Sequence, residues 1–295
     1  MYVSFNARAL GSPLSAEETV ALAARAGFEG VDLLIRDLVE AGEQPREIAA
    51  RIEERGLRAG AFPLPVRWRN DAATYRRELA ELPRFAEVAA ELGFRRTGTW
   101  VLPQTPDELG TDPDFAAVAR FHHDRLGPIA SCLAGFGIRL GLEAIGSSTF
   151  RAGPGPAFVT RLDELEPRLG PLERLGPNVG LLVDSFHAYA ADESIESILE
   201  RPVENVVWVH VADLPKQTDP DRSTIVDSDR GLPGEHGAID SARLLAGLQM
   251  LGYDGPVTLE PLSGCRSLQG LDPEARAVAA MAAWLEIRPA ARLPQ

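Results

Sequence analysis

The sequence is poor in cysteine, and almost all of its basic residues are arginines. Only two cysteines, Cys132 and Cys265, occur in 295 residues, too few for a disulfide framework or for a metal knuckle of paired cysteines. Lys216 is the only lysine among 30 basic residues. This bias is typical of a GC-rich genome and does not by itself indicate a functional lysine.

The chain also lacks an excess of positive charge and any long hydrophobic run. It has 30 basic and 43 acidic residues, a net charge of −13, which argues against a protein that coats nucleic acid or an anionic membrane. No apolar run approaches the roughly 18–20 residues of a membrane span. The N-terminal MYVSFNARAL has no basic segment followed by an apolar one, so no secretory signal is visible. We therefore expect a cytoplasmic protein without a nucleic-acid or membrane partner, and the sequence is compatible with a homo-oligomer.

A glycine followed at once by an apolar residue recurs along the chain, each time after a helical pattern. Glycine adopts the left-handed conformation that ends a helix, and the next residue packs on the last turn. Ser15 and Glu18 have the spacing of a capping box at the start of the first such helix. The pairs are Gly27-Phe28, Gly56-Leu57, Gly93-Phe94, Gly137-Ile138 and Gly252-Tyr253. Their recurrence predicts a repeated β/α unit.

Short apolar runs follow these helix ends and predict eight strands. Several are continuously apolar, which is typical of parallel strands covered by helices. The predicted strands are Tyr2–Asn6, Gly30–Leu34, Arg58–Phe62, Thr97–Leu102, Ile138–Glu143, Val179–Asp184, Val206–Val211 and Val257–Pro261. Helices are predicted near residues 15–27, 46–55, 72–92, 114–135, 157–168, 193–200, 239–251 and 273–286. The pair His122-His123 lies in the fourth of these, where we expect exposure to solvent.

Eight β/α units in 295 residues predict an α/β fold, a single-domain (β/α)8 TIM barrel. The barrel is expected over residues 1–287, followed by a C-terminal tail over residues 288–295. A doubly wound open sheet is the alternative. Against it, the first predicted strand is followed by ARALGSP, which lacks the Gly-x-Gly-x-x-Gly pattern of dinucleotide-binding sheets.

Acidic or imidazole side chains stand at the carboxyl ends of four consecutive predicted strands. They are Glu143, Asp184, His210 and Glu260. One acidic residue at such a place is usually a helix cap or a turn former. Four on neighbouring strands are harder to explain in this way, because three clustered carboxylates repel one another unless a cation is present. The pattern predicts one divalent metal ion, and the oxygen-rich set favours Mn²⁺, with Mg²⁺, Co²⁺ or Zn²⁺ as alternatives.

These segments resemble the xylose isomerase-like TIM barrel superfamily, the group of sugar phosphate isomerases and epimerases. The resemblance spans essentially the whole chain and is carried by GLEAIG, VDSFH, WVHVAD, RGLPGEHGAID and VTLEPL. It implies that the metal ligands are Glu143, Asp184, His210 and Glu260. It also implies that Glu143 and Glu260 are the catalytic carboxylates.

Four further residues are candidates for contact with the substrate. The resemblance implies that His187 and Arg230 contact substrate oxygens, although Arg230 is equally compatible with pairing to Asp227 or Asp229. Glu235 lies in the same loop, where relatives often read Pro-Gly-Glu-Gly and this chain has His236 in place of the last glycine. Trp100 lies near the carboxyl end of the fourth predicted strand, where its ring would form an apolar wall for a sugar or pack in the rim.

The resemblance implies a metal-dependent isomerase or epimerase that acts on a small sugar, sugar phosphate or keto-polyol. Such an enzyme removes a proton next to a carbonyl and passes through a metal-stabilised enediolate. A dehydratase (lyase) of the inosose or 3-dehydroshikimate type is the alternative, because it begins with the same proton abstraction. An endonuclease IV-like DNA-repair phosphodiesterase resembles the chain at Asp184, His187 and His210. It would need a three-metal cluster with further histidines, and none occurs before position 122.

Overall fold

Parallel β-strands form one sheet in the computed structural model, which describes residues 1–105, 114–151, 155–215 and 221–290. Every pairing between strands is parallel. Lys216 and residues 291–295 of the predicted tail lie outside the described ranges. Within these ranges the strands are β1 Tyr2–Phe5, β2 Gly30–Val31, β3 Arg58–Ala59, β4 Phe62–Pro63, β5 Arg96–Trp100, β6 Arg139–Glu143, β7 Val179–Asp184, β8 Val206–Val211 and β9 Pro256–Leu259.

Helices connect the strands, so that the chain alternates between the two as the sequence predicts. Five glycine–apolar helix ends all have glycine at positive φ, from +65° to +102°, and the capping box of Ser15 and Glu18 is present. The helices are α1 Ala16–Arg25, α2 Ile35–Ala41, α3 Pro45–Glu54, α4 Ala72–Glu91, α5 Phe115–Ala134, α6 Leu165–Leu169, α7 Ser185–Ala190, α8 Ile195–Leu199, α9 Ser241–Leu251 and α10 Pro273–Ile287. In the described part of the chain, no helix has the length and apolarity needed to span a membrane.

The third predicted strand is divided in two, and this division closes the sheet into a barrel. The strand order is β3-β2-β1-β9-β8-β7-β6-β5-β4, so its two ends, β3 and β4, are joined by residues 60–61. There the Ala61 N–H donates to the Asp32 carboxylate at 2.9 Å instead of to a neighbouring strand. A Cβ on Gly60 would lie 2.1 Å from Asp32 Oδ1, so only glycine lets the backbone pass this close. The single-domain TIM barrel is therefore confirmed.

A polar network crosses the barrel interior beneath the carboxyl ends of the strands. Asp32 accepts hydrogen bonds from Ser4 Oγ and Thr258 Oγ1, both at 2.6 Å, and Thr258 Oγ1 accepts one from Trp208 Nε1 at 2.9 Å. The Trp208 ring lies 4.4 Å from the His210 ring in an edge-to-face contact. Buried polar groups that all have partners fix a unique packing, and here they support one of the predicted metal ligands.

The helical regions differ from the sequence prediction in three places. Helices α2 and α7 were not predicted. The predicted helix over 157–168 is reduced to α6, because Leu162–Glu164 form a 3₁₀ turn before it and Gly170 ends it at φ +77°.

The expectation that His122 is exposed was wrong. Its side chain is completely buried, stacked on Phe158 and packed on Trp68. Its Nε2 accepts a hydrogen bond from Leu102 N at 3.2 Å, and its Nδ1 lies 2.8 Å from Val118 O. The ring therefore joins α5 to the end of β5.

Candidate metal centre

The four predicted ligands lie together at the carboxyl end of the barrel. Glu143 and Asp184 are the last residues of β6 and β7, His210 lies in β8 and Glu260 directly follows β9. Strand register places Asp184 opposite His210. One ligand atom from each of the four residues lies within 4.8 Å of all the others. The parallel sheet thus brings together residues that are far apart in the sequence.

The imidazole of His210 stands among the three carboxylates. Its Nδ1 lies 3.3 Å from Glu260 Oε2, 3.8 Å from Asp184 Oδ2 and 3.9 Å from Glu143 Oε1. Among the described residues, neither ring nitrogen has a hydrogen-bond partner of good geometry. A buried nitrogen without such a partner costs free energy unless another group satisfies it. Three oxygens and one nitrogen at this spacing fit a divalent cation.

The pKa values of Glu143 and His210 are shifted upward by the crowding of buried carboxylates when only the protein groups are present. Burial raises the pKa of Glu143 well above its usual range, and the neighbouring Asp184 raises it further. Burial lowers the pKa of His210, but the carboxylates of Glu260, Glu143 and Asp184 outweigh it and raise that pKa to about 9. The cluster therefore retains protons at neutral pH. A divalent cation would displace them, because metal ligands bind in their deprotonated form.

Asp184 serves two purposes with its two oxygens. Oδ1 accepts hydrogen bonds from Phe186 N at 2.7 Å and His187 N at 3.2 Å, and so caps α7. Oδ2 faces His210 and Arg230. Burial would raise the pKa of Asp184, but the Arg230 charge and the two imidazoles hold it below its usual range. The capping and ligand interpretations are therefore compatible.

Arg230 is buried against the same cluster. Its Nη1 donates to Asp184 Oδ2 at 3.0 Å and lies 3.3 Å from Glu260 Oε2. Its Nε is 3.9 Å from Asp227 Oδ1, whereas Asp229 accepts from Val226 N instead. Burial lowers the pKa of Arg230, but Asp184, Glu260 and other carboxylates raise it above its usual range. The guanidinium is thus a fixed positive charge beside two of the predicted ligands.

His187 follows Asp184 on α7 and contacts the same guanidinium. Its Nε2 lies 3.0 Å from Arg230 Nη2. Burial lowers the pKa of His187 to about 4, against the opposing effect of Asp184. A neutral ring can accept the arginine N–H at Nε2, which places its own proton on Nδ1. Among the described residues, Nδ1 has no hydrogen-bond partner, so this buried donor is left unsatisfied.

Trp100 lies at the rim of the site. It is opposite Glu143 in the strand register, and its ring stacks on Phe150 with centroids 4.9 Å apart and an interplanar angle of 25°. The guanidinium of Arg69 lies 3.5 Å from the centre of the Trp100 ring. Arg69 was not predicted from the sequence, because a single loop arginine after a strand has no periodic or spacing signal.

Glu235 is placed outside the cluster of four. Its carboxylate accepts hydrogen bonds from Leu232 N and Ser267 Oγ, both at 3.0 Å, and lies 3.8 Å from His236 Nε2. These contacts hold the loop that follows Arg230 against the loop after β9. Its predicted contact with substrate stays a prediction.

Asp213 is a second residue that was not predicted from the sequence, although it ends the WVHVAD segment. It is completely buried. Its carboxylate accepts N–H groups from Leu214 and from four consecutive residues, His236 to Ile239, at 2.6–3.1 Å. Its backbone pairs with Gly231. Asp213 therefore shapes the loop that begins at Arg230.

Comparisons with known proteins identify the family. A family model described as the xylose isomerase-like TIM barrel matches residues 20–287. The 3-dehydroshikimate dehydratase of Pseudomonas aeruginosa is 30% identical over 257 residues, which cover 83% of this chain and 35% of that protein. The inosose isomerase of Bacillus subtilis is 35% identical over 83 residues, 28% of each chain. The chain thus spans about a third, or less, of the length of these curated relatives.

A solved structure agrees with the family match. A xylose isomerase domain protein from Alicyclobacillus acidocaldarius superposes with a TM-score of 0.78 at 28% identity, and the match covers 93% of both chains. Together with the match over residues 20–287, this similarity extends over nearly the whole barrel. The chain therefore belongs to the xylose isomerase-like TIM barrel family.

Proposed function

We propose that the protein is a divalent-metal-dependent isomerase or epimerase of a small keto sugar, sugar phosphate or keto-polyol. The observation that carries this proposal is the cluster of Glu143, Asp184, His210 and Glu260, with their ligand atoms within 4.8 Å of one another. A divalent cation held there supplies Lewis-acid stabilisation for the negative charge that develops when a proton leaves the carbon next to a carbonyl. We propose Mn²⁺, because three oxygen donors and one imidazole favour a borderline-hard ion.

Glu143 and Glu260 are the proposed proton-transfer groups. They belong to different strands, β6 and the end of β9, and each is close to His210. Glu260 is partly exposed, with 21% of its side chain accessible, so substrate can reach it. One carboxylate would remove the proton next to the carbonyl and the other would return a proton, which is the division of labour that epimerisation requires.

Arg230 and His187 are the proposed contacts for substrate oxygens. The Arg230 guanidinium stays charged, and the Nδ1–H of His187 lacks a partner among the described residues. Both are held in place by Asp184, so a substrate hydroxyl would meet donors that are already oriented. Trp100 would exclude water from one side.

A metal-dependent dehydratase is the second candidate, and one comparison favours it. The relative that aligns with 83% of this chain is a 3-dehydroshikimate dehydratase. A dehydratase begins with the same proton abstraction and then expels a β-hydroxyl as water, for which the second carboxylate would donate the proton.

The endonuclease alternative finds little support in the site. Among the five histidines of the chain, His122 is bonded to Leu102 N and Val118 O, and His123 to Leu169 O. Neither belongs to the cluster of four, and the charge of −13 opposes DNA binding.

The two candidate reactions can be separated in one experiment. The Mn²⁺-loaded protein is incubated in D₂O with ketohexoses, their phosphates, ketoinositols and 3-dehydroshikimate, and products are followed by NMR and ultraviolet absorption. Deuterium next to the carbonyl of a rearranged ketose supports the isomerase, and a conjugated or aromatic product supports the dehydratase. Glu143→Gln and Glu260→Gln should each abolish both candidate reactions. Glu40→Gln, which changes an exposed residue on α2, should abolish neither. Exchange that persists in both Gln variants would refute the proposal.

A further inference from the structure

An arginine without an acidic partner lies beside the proposed active site. Arg69 is in the loop after β4, and its Nη1 donates to Thr99 Oγ1 at 3.0 Å and to Trp100 O at 2.8 Å. Both acceptors belong to the carboxyl end of β5, next to Glu143 on β6. The loop is thereby fixed to the rim of the metal centre.

These two hydrogen bonds use only some of the N–H donors of the guanidinium. Arginine has five N–H donors in a planar fork. The donors on Nε and Nη2 have no partner among the described residues, and no carboxylate there forms an ion pair with Arg69. The guanidiniums of Arg36 and Arg230, by contrast, each contact a carboxylate. Those of Arg125 and Arg151 bind only carbonyl oxygens within the described part of the chain.

The surroundings make this unpaired charge costly. Arg69 lies between two indoles, 3.5 Å from the Trp100 ring centre and 5.1 Å from that of Trp68. Burial lowers the pKa of Arg69 to about 10, and the nearby Glu143 carboxylate opposes this decrease. A partly desolvated charge without a counter-ion is unfavourable unless a ligand supplies one.

The contact with Trp100 also leaves the in-plane N–H donors of the Arg69 guanidinium available. A guanidinium that lies flat on an aromatic ring uses its face for the contact, and the in-plane donors along its edge can still bind an oxyanion with two parallel hydrogen bonds. Trp100 is itself held by its stack on Phe150. The edge of Arg69 is thus preorganised at the rim of the site.

From this arrangement we infer that Arg69 binds an anionic group of the substrate, a carboxylate or a phosphoryl oxyanion. The inference rests on the proposed function for the presence of a substrate at this site and adds its class, an anionic keto-polyol in place of a neutral ketose. Thr99 and Trp100 position the guanidinium, and the anion would sit on the side of the site that carries Glu143.

The test is a binding experiment that does not depend on turnover. Binding of shikimate, fructose 6-phosphate and neutral myo-inositol to the Mn²⁺-loaded protein is measured by calorimetry, for the parent protein and for Arg69→Met. Arg125→Met is the matched control, because Arg125 stacks on Tyr75 and donates to Trp68 O and Asn70 O. It thus holds the same loop from α5. Affinity for Mn²⁺ in each variant reports whether the site is still folded.

We expect the parent protein to bind at least one anion more tightly than myo-inositol. Arg69→Met should lose about 10- to 100-fold of that affinity, the usual loss for charge-assisted hydrogen bonds, and Arg69→Lys should lose less. Mn²⁺ affinity should be unchanged in every variant, and Arg125→Met should keep the preference. A loss of shikimate affinity in Arg69→Met would identify a carboxylate as the bound group, and a loss of fructose 6-phosphate affinity would identify a phosphoryl group.

Three results would overturn the inference: no preference for either anion at millimolar concentration, a preference that survives in Arg69→Met, or its equal loss in Arg125→Met. An anion preference without deuterium exchange in any ketone would refute the proposed function and leave the role of Arg69 intact. Deuterium exchange in neutral ketoses, without any preference for anions, would support the proposed function and refute the role of Arg69.

Discussion

Arg230 donates a hydrogen bond to Asp184 across 3.0 Å, and both side chains are almost completely buried. The pair joins the loop after β8 to the end of β7, within a cluster that has three carboxylates. In the metal-free protein this guanidinium is therefore a main source of positive charge for the site, and several expectations depend on it.

Replacement of Arg230 by methionine should destabilise the metal-free protein strongly. Removal of one partner from a buried ion pair costs about 3–5 kcal/mol, because the remaining carboxylate loses its counter-charge. Mn²⁺ should recover more stability in Arg230→Met than in the parent protein, since the cation takes the place of the lost charge. Urea unfolding with and without Mn²⁺ checks both effects.

Arg230→Lys is the control for charge without the planar fork. It should lose less stability than Arg230→Met in the metal-free state. Identical unfolding midpoints for Arg230→Met and the parent protein would show that the contact with Asp184 contributes nothing.

Asp213 should be essential for the loop that begins at Arg230. Its carboxylate accepts five backbone N–H groups, and Asp213→Asn would place an NH₂ group against some of these donors. We expect a loss of about 2–4 kcal/mol in unfolding free energy and faster amide exchange at residues 236–239.

Asp240→Asn is the matched control for this substitution. Asp240 caps α9 through Arg243 N at 3.0 Å, and asparagine caps equally well, so its stability should change little. Amide exchange at residues 236–239 that is as slow in Asp213→Asn as in the parent protein would contradict the proposed role of Asp213.

His122 should make the stability of the metal-free protein depend on pH. Burial lowers its pKa to about 4, whereas an unfolded histidine has a pKa near 6.5. The unfolded chain then binds more protons, so this contribution is complete above pH about 6.5 and declines as the pH falls towards 4. Between pH 7 and 5 the loss amounts to about 2 kcal/mol.

The variant His122→Phe separates this effect from that of His187, whose pKa is also lowered to about 4. Urea unfolding at pH 7 and pH 5 should show a smaller decrease in His122→Phe than in the parent protein. Equal decreases in the two proteins would mean that His122 is not held in the neutral form.

Gly146 should be intolerant of even one methyl group. A Cβ at this position would lie 1.9 Å from the carbonyl oxygen of His187, so Gly146→Ala must displace α7, which carries His187 and is capped by Asp184. We expect a loss of about 1–3 kcal/mol and weaker metal binding. Gly264→Ala, with its nearest contact at 3.5 Å, should be close to neutral, and a neutral Gly146→Ala would contradict the packing described here.

The sequence predicted that the four proposed ligands lie together, because the information for this is local. Each ligand ends or follows an apolar run, and parallel strands bring such ends to one edge whatever the loops do. The ends of β7 and β8 were predicted without error, since each run is apolar apart from its proposed ligand and is buried throughout.

The missed features depend on contacts between distant segments. The third predicted strand is divided because the Ala61 N–H donates to Asp32, the residue that directly follows β2. Burial of His122 depends on the rings of Trp68 and Phe158, and the position of Arg69 depends on Trp100. None of these pairs has a fixed spacing along the chain, so periodicity could not reveal them.

The claim that the cluster of four binds a divalent cation is tested most directly by calorimetric titration of the metal-free protein with Mn²⁺. We predict about one equivalent bound, with affinity reduced at least about 100-fold in Glu143→Gln, Asp184→Asn and Glu260→Gln and unchanged in Glu40→Gln. Binding of well under half an equivalent, or equal affinity in the parent protein and the three ligand variants, would contradict the account.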